Sequence, residues 1–327
     1  MSAGKKPVTV VGSINIDLVA STELIPVEGE TVLGTGFHIH PGGKGANQAV
    51  AVARLGYPVR MIGRLGDDAF GAQLRGHLEH AGVDVAGVAT TPGSSGVAMI
   101  TVAESGENCI VIIPGANAWL TPDDIDANIE IIRSSGIVLT QLEIPIETVE
   151  HLARICVREH ISLILDPAPA KELPTSVLKA VTWFTPNETE AAFFTGESNE
   201  ISDLHDPTRA AKTLIGLGIP GIVLKLGSRG AFIATTGSVG ERLNPFPVRA
   251  VDTTAAGDAF NGAFAVGLLL DKDPAASARF ATAAAALSVT RAGAQPSMPT
   301  MAEVDRLLES ARAGGLESND GVGEKSR

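Results

Sequence analysis

The sequence predicts an α/β fold: a three-layer αβα core on a mostly parallel central sheet, carrying a small β-sheet lid. Three observations predict it. Short apolar runs alternate with amphipathic stretches, two β-rich segments interrupt that alternation, and the chain becomes helical after Asp252. Strand and helix in alternation call for parallel pairing, because a crossover helix returns the chain to the same end of the sheet.

Core strands are expected at 8–12, 59–63, 137–142, 161–166, 181–185 and 222–226, each rich in Val, Ile or Leu and bounded by Gly, Pro or polar residues. Between them, helical patterns at 46–55 and 72–81 end at Gly56 and Gly82, where a C-terminal cap takes positive φ. Thr121-Pro122-Asp123-Asp124 reads as an N-cap, a first-turn Pro and an acidic first turn. The β-rich excursions, 18–40 and 96–115, hold strand patterns at 32–37, 97–102 and 109–113, the last two joined by a Ser105-Gly106 turn. They are assigned to the lid, and 1–17, 41–95 and 116–313 to the catalytic core. Helices follow at 256–270, 275–290 and 302–313, and the polar tail 314–327 reads as disordered. Ligands in such a sheet sit beyond the strand C-termini.

Composition narrows the function. With 327 residues, 44% apolar and 19% charged, the chain is that of a globular enzyme. A net charge of -12 argues against a general nucleic-acid or membrane-surface binder, which needs a basic face. A nucleotide site needs only local positive potential from a helix N-terminus, a lysine or a metal ion. Cys109 and Cys156 lack CxxC spacing and read as core thiols. His77 and His80 share a helix face without an evident third ligand, and His38 and His40 alternate on a lid strand, so neither pair reads as a metal site. Residues 1–6 lack the apolar core of a secretory signal and no apolar run reaches membrane length, so a cytoplasmic protein is expected.

The chemistry concentrates in Asp252-Thr253-Thr254-Ala255-Ala256-Gly257-Asp258, tiny residues opening an apolar helix. Such a start leaves N–H groups and the helix dipole facing an anion. Asp258, one turn in, repels a phosphate in the ground state; its use there is to take a proton from an attacking hydroxyl. Taken alone, the run reads first as a capped helix with an exposed first-turn acid. Likewise Asn187 and Glu190 alone read as a capping box, and the Gly227–Gly230 stretch as a β-turn.

Five further motifs accompany that run: Gly12-Ser13-Ile14-Asn15-Ile16-Asp17, Gly42-Gly43-Lys44-Gly45-Ala46-Asn47-Gln48-Ala49, Gln141-Leu142-Glu143, Thr185-Pro186-Asn187-Glu188-Thr189-Glu190 and Leu226-Gly227-Ser228-Arg229-Gly230. Together, in this order, they resemble the ribokinase family of carbohydrate and nucleoside kinases. Gly42 to Ala49 and Ala292-Gly293-Ala294-Gln295-Pro296-Ser297 follow the form of its ribose-phosphorylating members. The resemblance implies a ribokinase-like core and lid, transfer of the terminal phosphate of ATP to the 5-hydroxyl of ribose, and a homodimer formed through the lids.

By the same resemblance Asp258 is the catalytic base and Ala255, Ala256 and Gly257 form the anion hole. Asn15, Asp17, Gly43, Lys44, Gly45, Ala46, Asn47, Glu143 and Asp258 hold the sugar. Asn187, Lys225, Leu226, Gly227, Ser228, Arg229, Gly230, Gly257, Asp258 and Thr282 hold ATP. Asn187 and Glu190 organise a water-bound Mg²⁺. Asp252, Thr254, Ser288, Arg291, Gly293 and Ser297 supply an all-oxygen site for K⁺ or a similar monovalent cation. Lys225 stands where Thr is usual, Thr282 where His or Asn is common, and Asp166 where Asn is more frequent; these departures bear on nucleotide preference. Rival readings are a kinase of deoxyribose, another sugar or a nucleoside, and a sugar-binding regulator without catalysis. A nicotinamide-dependent oxidoreductase is disfavoured, since no GxGxxG follows the first strand.

Overall fold

The computed structural model describes residues 5–196 and 206–313. The tail expected at 314–327 lies outside the described residues. The chain runs through β1 (Val8–Val11), β2 (Asn15–Thr22), β3 (Gly34–Gly42), α1 (Lys44–Arg54), β4 (Val59–Gly66), α2 (Ala69–His80), β5 (Asp84–Thr91), β6 (Gly96–Ala103) and β7 (Asn108–Ile113). It continues with α3 (Pro122–Ala127), α4 (Ile129–Arg133), β8 (Ile137–Thr140), α5 (Ile146–Arg158), β9 (Ser162–Leu165), α6 (Thr175–Ala180), β10 (Trp183–Phe184), α7 (Glu188–Thr195) and α8 (Pro207–Gly216). It closes with β11 (Gly221–Lys225), β12 (Ala231–Thr235), β13 (Glu241–Leu243), α9 (Ala256–Leu269), α10 (Pro274–Ser288) and α11 (Met301–Ala313).

A nine-stranded sheet of order β13-β12-β11-β10-β9-β8-β1-β4-β5 forms the centre. It is parallel from β5 to β11, and β12 and β13 are antiparallel additions. Side-chain alternation sorts its residues into two apolar layers. Val8, Val10, Leu139 and Ile164 pack with residues of α1, α9 and α10 on one face. Val11, Val138, Leu163 and Leu165 pack with residues of α5, α6 and α8 on the other. The αβα layering is thus written into which neighbour of each pair of strand residues meets which helices.

The departures from expectation have local causes. The strand expected at 181–185 is only Trp183–Phe184. Strand β5 was not expected, because as a sheet edge it alternates exposed and buried residues and lacks a continuous apolar run. The antiparallel β12 and β13 follow a tight turn rather than a crossover helix, which the alternating pattern does not announce.

A second sheet, order β3-β2-β6-β7, stands apart; β2 and β6 run parallel and the other pairs antiparallel. It begins at Asn15, ahead of the expected start at 18, so Asn15 and Asp17 sit on its strand β2. Every residue of its edge strand β7 is exposed. Cys109 lies on that strand and is exposed, correcting the expectation of two core thiols; Cys156, on α5, is buried. Among the described residues no helix is long and apolar enough to cross a membrane.

Candidate active site

Four parallel strands of the central sheet end along one edge, and the residues just past them turn toward one spot. Gly12 and Ser13 follow β1, Gln141 follows β8, Asp166 follows β9 and Leu226 follows β11. Helices α1 and α9 start at the same level and pack so closely that a Cβ on Gly262 would meet the Ala51 side chain at 2.8 Å. This brings Asn47 and Gln48 of α1 against Asp258 of α9.

Asp258 is buried, 5% exposed, at the first turn of α9. Asn47 Nδ2 donates to its Oδ2 at 3.0 Å and Gln48 Nε2 to its Oδ1 at 3.1 Å. Burial pushes the carboxyl up to about 6, with Asp166 adding to the shift and Lys44, Asn47 and Gln48 opposing it. The result is a carboxylate ionised at neutral pH yet basic enough to accept a proton. The amides are themselves oriented: Gln141 Nε2 donates to Gln48 Oε1 at 2.7 Å and Gln295 Nε2 to Asn47 Oδ1 at 3.1 Å.

The helix beginning there has no side-chain cap. Ala255, its N-cap, takes the left-handed conformation at φ 58°. Ala256 N–H turns back to Thr253 O at 3.2 Å, so of the three residues expected to form the anion hole its amide is spent. Among the described residues the N–H groups of Ala255, Gly257 and Asp258 find no partner. An uncapped helix start with open donors is an anion site.

The expected sugar residues gather on the other side of Asp258. Asp17 carries a carboxyl raised to about 7 by burial, with Glu143 and Asp258 adding to the shift and Lys44 opposing it. The backbone opposite it is glycine for a reason: a Cβ on Gly42 would lie 2.1 Å from an Asp17 oxygen. Glu143 Oε2 accepts from Ser13 Oγ and from Lys44 N. Lys44 sits within the field of Asp258, Glu143, Asp166 and Glu190, which outweighs its burial and holds its pKa above that of an ordinary lysine. Asn15 is buried and receives Asn117 Nδ2 at 2.7 Å. Gly43, at φ 88°, lets α1 meet the start of β2, and Gly45 lets it meet Gly12 and Ser13 past the end of β1. Ala46 differs from expectation, since its N–H is spent on Ser13 O and its side chain packs in the core.

A groove of about 1030 Å³ runs from Asp258 and Lys44 past Asn187, Glu190 and Lys225. Its lining includes the apolar Phe246, Val248, Ala285 and Val289, and Arg279 stacks 4.0 Å over the Phe246 ring. Gly227, Ser228 and Gly230 line it, whereas the Leu226 side chain is 1% exposed and belongs to the core. Arg229 pairs with Glu188. Thr282 also lines the groove, but its hydroxyl donates to Ala278 O in its own helix at 2.8 Å.

Asn187 and Glu190 do form a capping box: Asn187 Oδ1 accepts from Glu190 N at 2.8 Å, and Glu190 accepts from Asn187 N and Nδ2 at 2.8 and 2.9 Å. Burial raises the Glu190 carboxyl, opposed by Lys225. Among the described residues no three His, Cys, Asp or Glu side chains are grouped to hold an ion. Asn187 and Glu190 offer only oxygen and amide groups at the groove, a donor set compatible with an ion that keeps most of its waters. Asp252 accepts from Thr254 N at 2.9 Å and Gly293 N at 2.8 Å, tying two loops together. Ser288 and Ser297 are fully buried, and their hydroxyl oxygens donate to Ala285 O and Ala294 O with acceptor capacity to spare. Arg291 turns its guanidinium to Glu303, leaving only its carbonyl for a cation. One carboxylate with neutral oxygens fits a monovalent ion.

Gln48, Gln141, Asp166 and Gln295 were not assigned to the site from the sequence. Gln48, Gln141 and Gln295 lie inside the quoted motifs and Asp166 outside them, and a buried network of this kind shows only when strand ends and helix starts are brought together.

The pfkB family carbohydrate kinase model matches residues 5–301. The chain belongs to this family. Within it, the chain is 41% identical over 308 residues to the ribokinase of Haemophilus influenzae, covering 94% of this chain and 100% of that one. It is 39% identical over 304 residues to the deoxyribokinase of Salmonella typhi, covering 92% and 98%. The solved structure of Arabidopsis thaliana ribokinase complexed with ribose and ATP superposes with a TM-score of 0.85 at 36% identity, covering 94% of this chain and 99% of that one.

Proposed function

We propose that this carbohydrate kinase transfers the terminal phosphoryl group of ATP to the 5-hydroxyl of D-ribose. The observation that carries the reading is the buried Asp258 carboxylate beside the open start of α9. Asp17, Asn47 and Glu143 hold the sugar hydroxyls, and ATP lies along the groove with its base toward Phe246 and Val248. Asp258 takes the 5-hydroxyl proton while the oxygen attacks the terminal phosphorus in line. The Gly257 and Asp258 N–H groups receive the charge on the moving phosphoryl group. Mg²⁺, held through water near Asn187 and Glu190, would neutralise phosphate charge. K⁺, held at Asp252 with Thr254, Ser288, Arg291, Gly293 and Ser297, would fix the loop that presents Ala255.

The small sheet acts as a lid over the sugar, and its outer strand forms a homodimer contact. Ile110, Val111 and Ile112 are 51%, 56% and 43% exposed on an unpaired strand edge, which supports that reading.

A coupled ADP-release assay with ribose, 2-deoxyribose, other pentoses and nucleosides, with and without K⁺, tests the function. Ribose is expected to give the highest kcat/KM, on the order of tenfold or more above 2-deoxyribose if a site group bonds the 2-hydroxyl. A reversed order assigns the chain to the deoxyribokinase activity of its Salmonella relative. No ADP release with any acceptor removes the proposal.

A further inference from the structure

The reaction as proposed uses Asp258 and the open helix start, and leaves unexplained a buried ion pair at the edge of both. Lys225 Nζ lies 2.7 Å from Asp166 Oδ1, and the two side chains are 12% and 3% exposed. Neither belongs to the apolar packing of the core, and both line the groove. The other oxygen of Asp166 accepts from Gln48 Nε2 at 3.0 Å, the same nitrogen that reaches Asp258 Oδ1 at 3.1 Å. Gln48 is fully buried, and its carbonyl is held by Gln141 Nε2, which fixes its amino group toward the two carboxylates. A continuous chain, Lys225 to Asp166 to Gln48 to Asp258, therefore joins the groove to the base. Lys225 closes the circle from the other side: a Cβ on Gly257 would lie 3.4 Å from its ammonium nitrogen, so the cation stands beside the open α9 amides.

Burying a charged pair is costly unless its hydrogen bonds are all used, so such a pair is weak evidence for stability. Here the arrangement has a use. Asp166 holds the ammonium where a terminal phosphate would meet the α9 amides, and Gln48 holds Asp258 where it would meet the hydroxyl. We propose that Lys225 is a binding residue for the terminal phosphate of the nucleoside triphosphate, and that Asp166 and Gln48 are positioning residues that set Lys225 and Asp258 in one frame. The proposal rests on the kinase reading above and names how the groove and the base are registered to each other.

The test is a double-variant cycle of Lys225→Met, Asp166→Asn and the two together, read in ATP affinity by calorimetry and in kcat/KM against pH. The charged groups facing Asp258 are Lys44, Lys225, Asp166 and Asp17. Lys225→Met leaves Asp166 uncompensated, weakens ATP binding about tenfold and moves the acid limb of kcat/KM to higher pH. Asp166→Asn removes a negative neighbour of Asp258 and moves that limb to lower pH. The double variant, whose pair is neutral, loses less ATP affinity than the product of the single losses, by about tenfold, and returns the limb toward that of the parent. Any charge removed beside Asp258 moves its limb in this sense, so the loss of ATP affinity and its partial recovery in the double variant are what separate a phosphate ligand from a merely structural pair. If the single losses multiply in the double variant, or the limb stays in place in both single variants, the shared frame is overturned. Calorimetry needs no turnover, so an error in the assigned sugar acceptor shows in the ADP-release assay while the cycle still decides the frame. Should Lys225→Met fail to fold, the neutral double variant and Asp166→Asn still give affinity and limb position, and a double variant with the parent's ATP affinity overturns the role of Lys225.

Discussion

Helices α1 and α9 begin side by side over the same strand ends, and their first turns are finished in opposite ways. Both start from a residue of positive φ without a side-chain cap, Gly43 at φ 88°, ψ 130° and Ala255 at φ 58°, ψ 16°. At α1 the protein supplies every partner: Lys44 N goes to Glu143, Gly45 N to Ser13 Oγ, Ala46 N to Ser13 O and Asn47 N to Gly43 O. At α9, among the described residues, Gly257 N and Asp258 N are left without one. Leaving donors unpaired is a cost the fold meets elsewhere, and it is worth carrying only where a ligand completes the bonds. Two uncapped helix starts of positive φ thus make a closed joint in one helix and, on the reading proposed above, a receptor in the other.

The sharpest way to break the proposed receptor is to keep its shape and remove the proposed base. Asp258→Asn preserves the size of the side chain and loses the proton acceptor, so kcat is expected to fall on the order of 10² to 10⁴-fold. Ribose affinity, measured by calorimetry, should change little. Near-normal turnover would remove Asp258 from the chemistry. In the parent enzyme the same group predicts an acid limb in kcat/KM near pH 6, because protonation of a carboxyl held at about 6 takes away the base as pH falls.

Disturbing the joint should act on the fold first. A Cβ at Gly43 would lie 2.6 Å from Asn15 N and 3.0 Å from Ile14 Cα, and the backbone there has positive φ. Gly43→Ala is therefore expected to cost about 2 kcal/mol or more of stability, seen in chemical denaturation. A variant as stable as the parent would mean that β2 and α1 can separate at little cost, and the contrast between joint and receptor would lose its closed side.

The two helix starts also show what could be read from the sequence. The parallel strands were legible because burial on both faces writes a continuous apolar run, as at Val8–Val11 and Ser162–Leu165. Edge strand β5 and the antiparallel β12 and β13 were not, since half-exposed or hairpin-joined strands write no such signal. The run ending at Asp258 and the Asn187–Glu190 pair stood out through the resemblance of their motifs to a kinase family; by residue type and spacing alone they read as capped helix starts. The distinction between the closed and the open helix start did not, because it depends on Glu143 and Ser13, each far along the chain from the amides they reach or fail to reach. Gln48 escaped for the same reason: its two carboxylate partners are more than a hundred residues away.

The smallest effect concerns the group between the two starts. Asp17 is raised to about 7 by burial and then by Glu143, which closes α1, and Asp258, which faces the open end of α9. Its unfolded value is that of an ordinary carboxyl, so the protonated form is the one the fold favours. The stabilisation it gives is fully present at low pH, below the unfolded value, and is lost as pH rises through about 7. Above that pH the ligand-free protein carries three mutually repelling carboxylates that a sugar's hydroxyls would satisfy. Asp17→Asn cannot ionise, and should raise ligand-free stability at pH 8 by roughly 1 kcal/mol after solvent screening is allowed for. The gain should shrink as pH falls toward 4, while sugar affinity drops at every pH. Thermal unfolding at both pH values checks it, and an equal gain at each would mean that Asp17 is strained by packing and not by its charge.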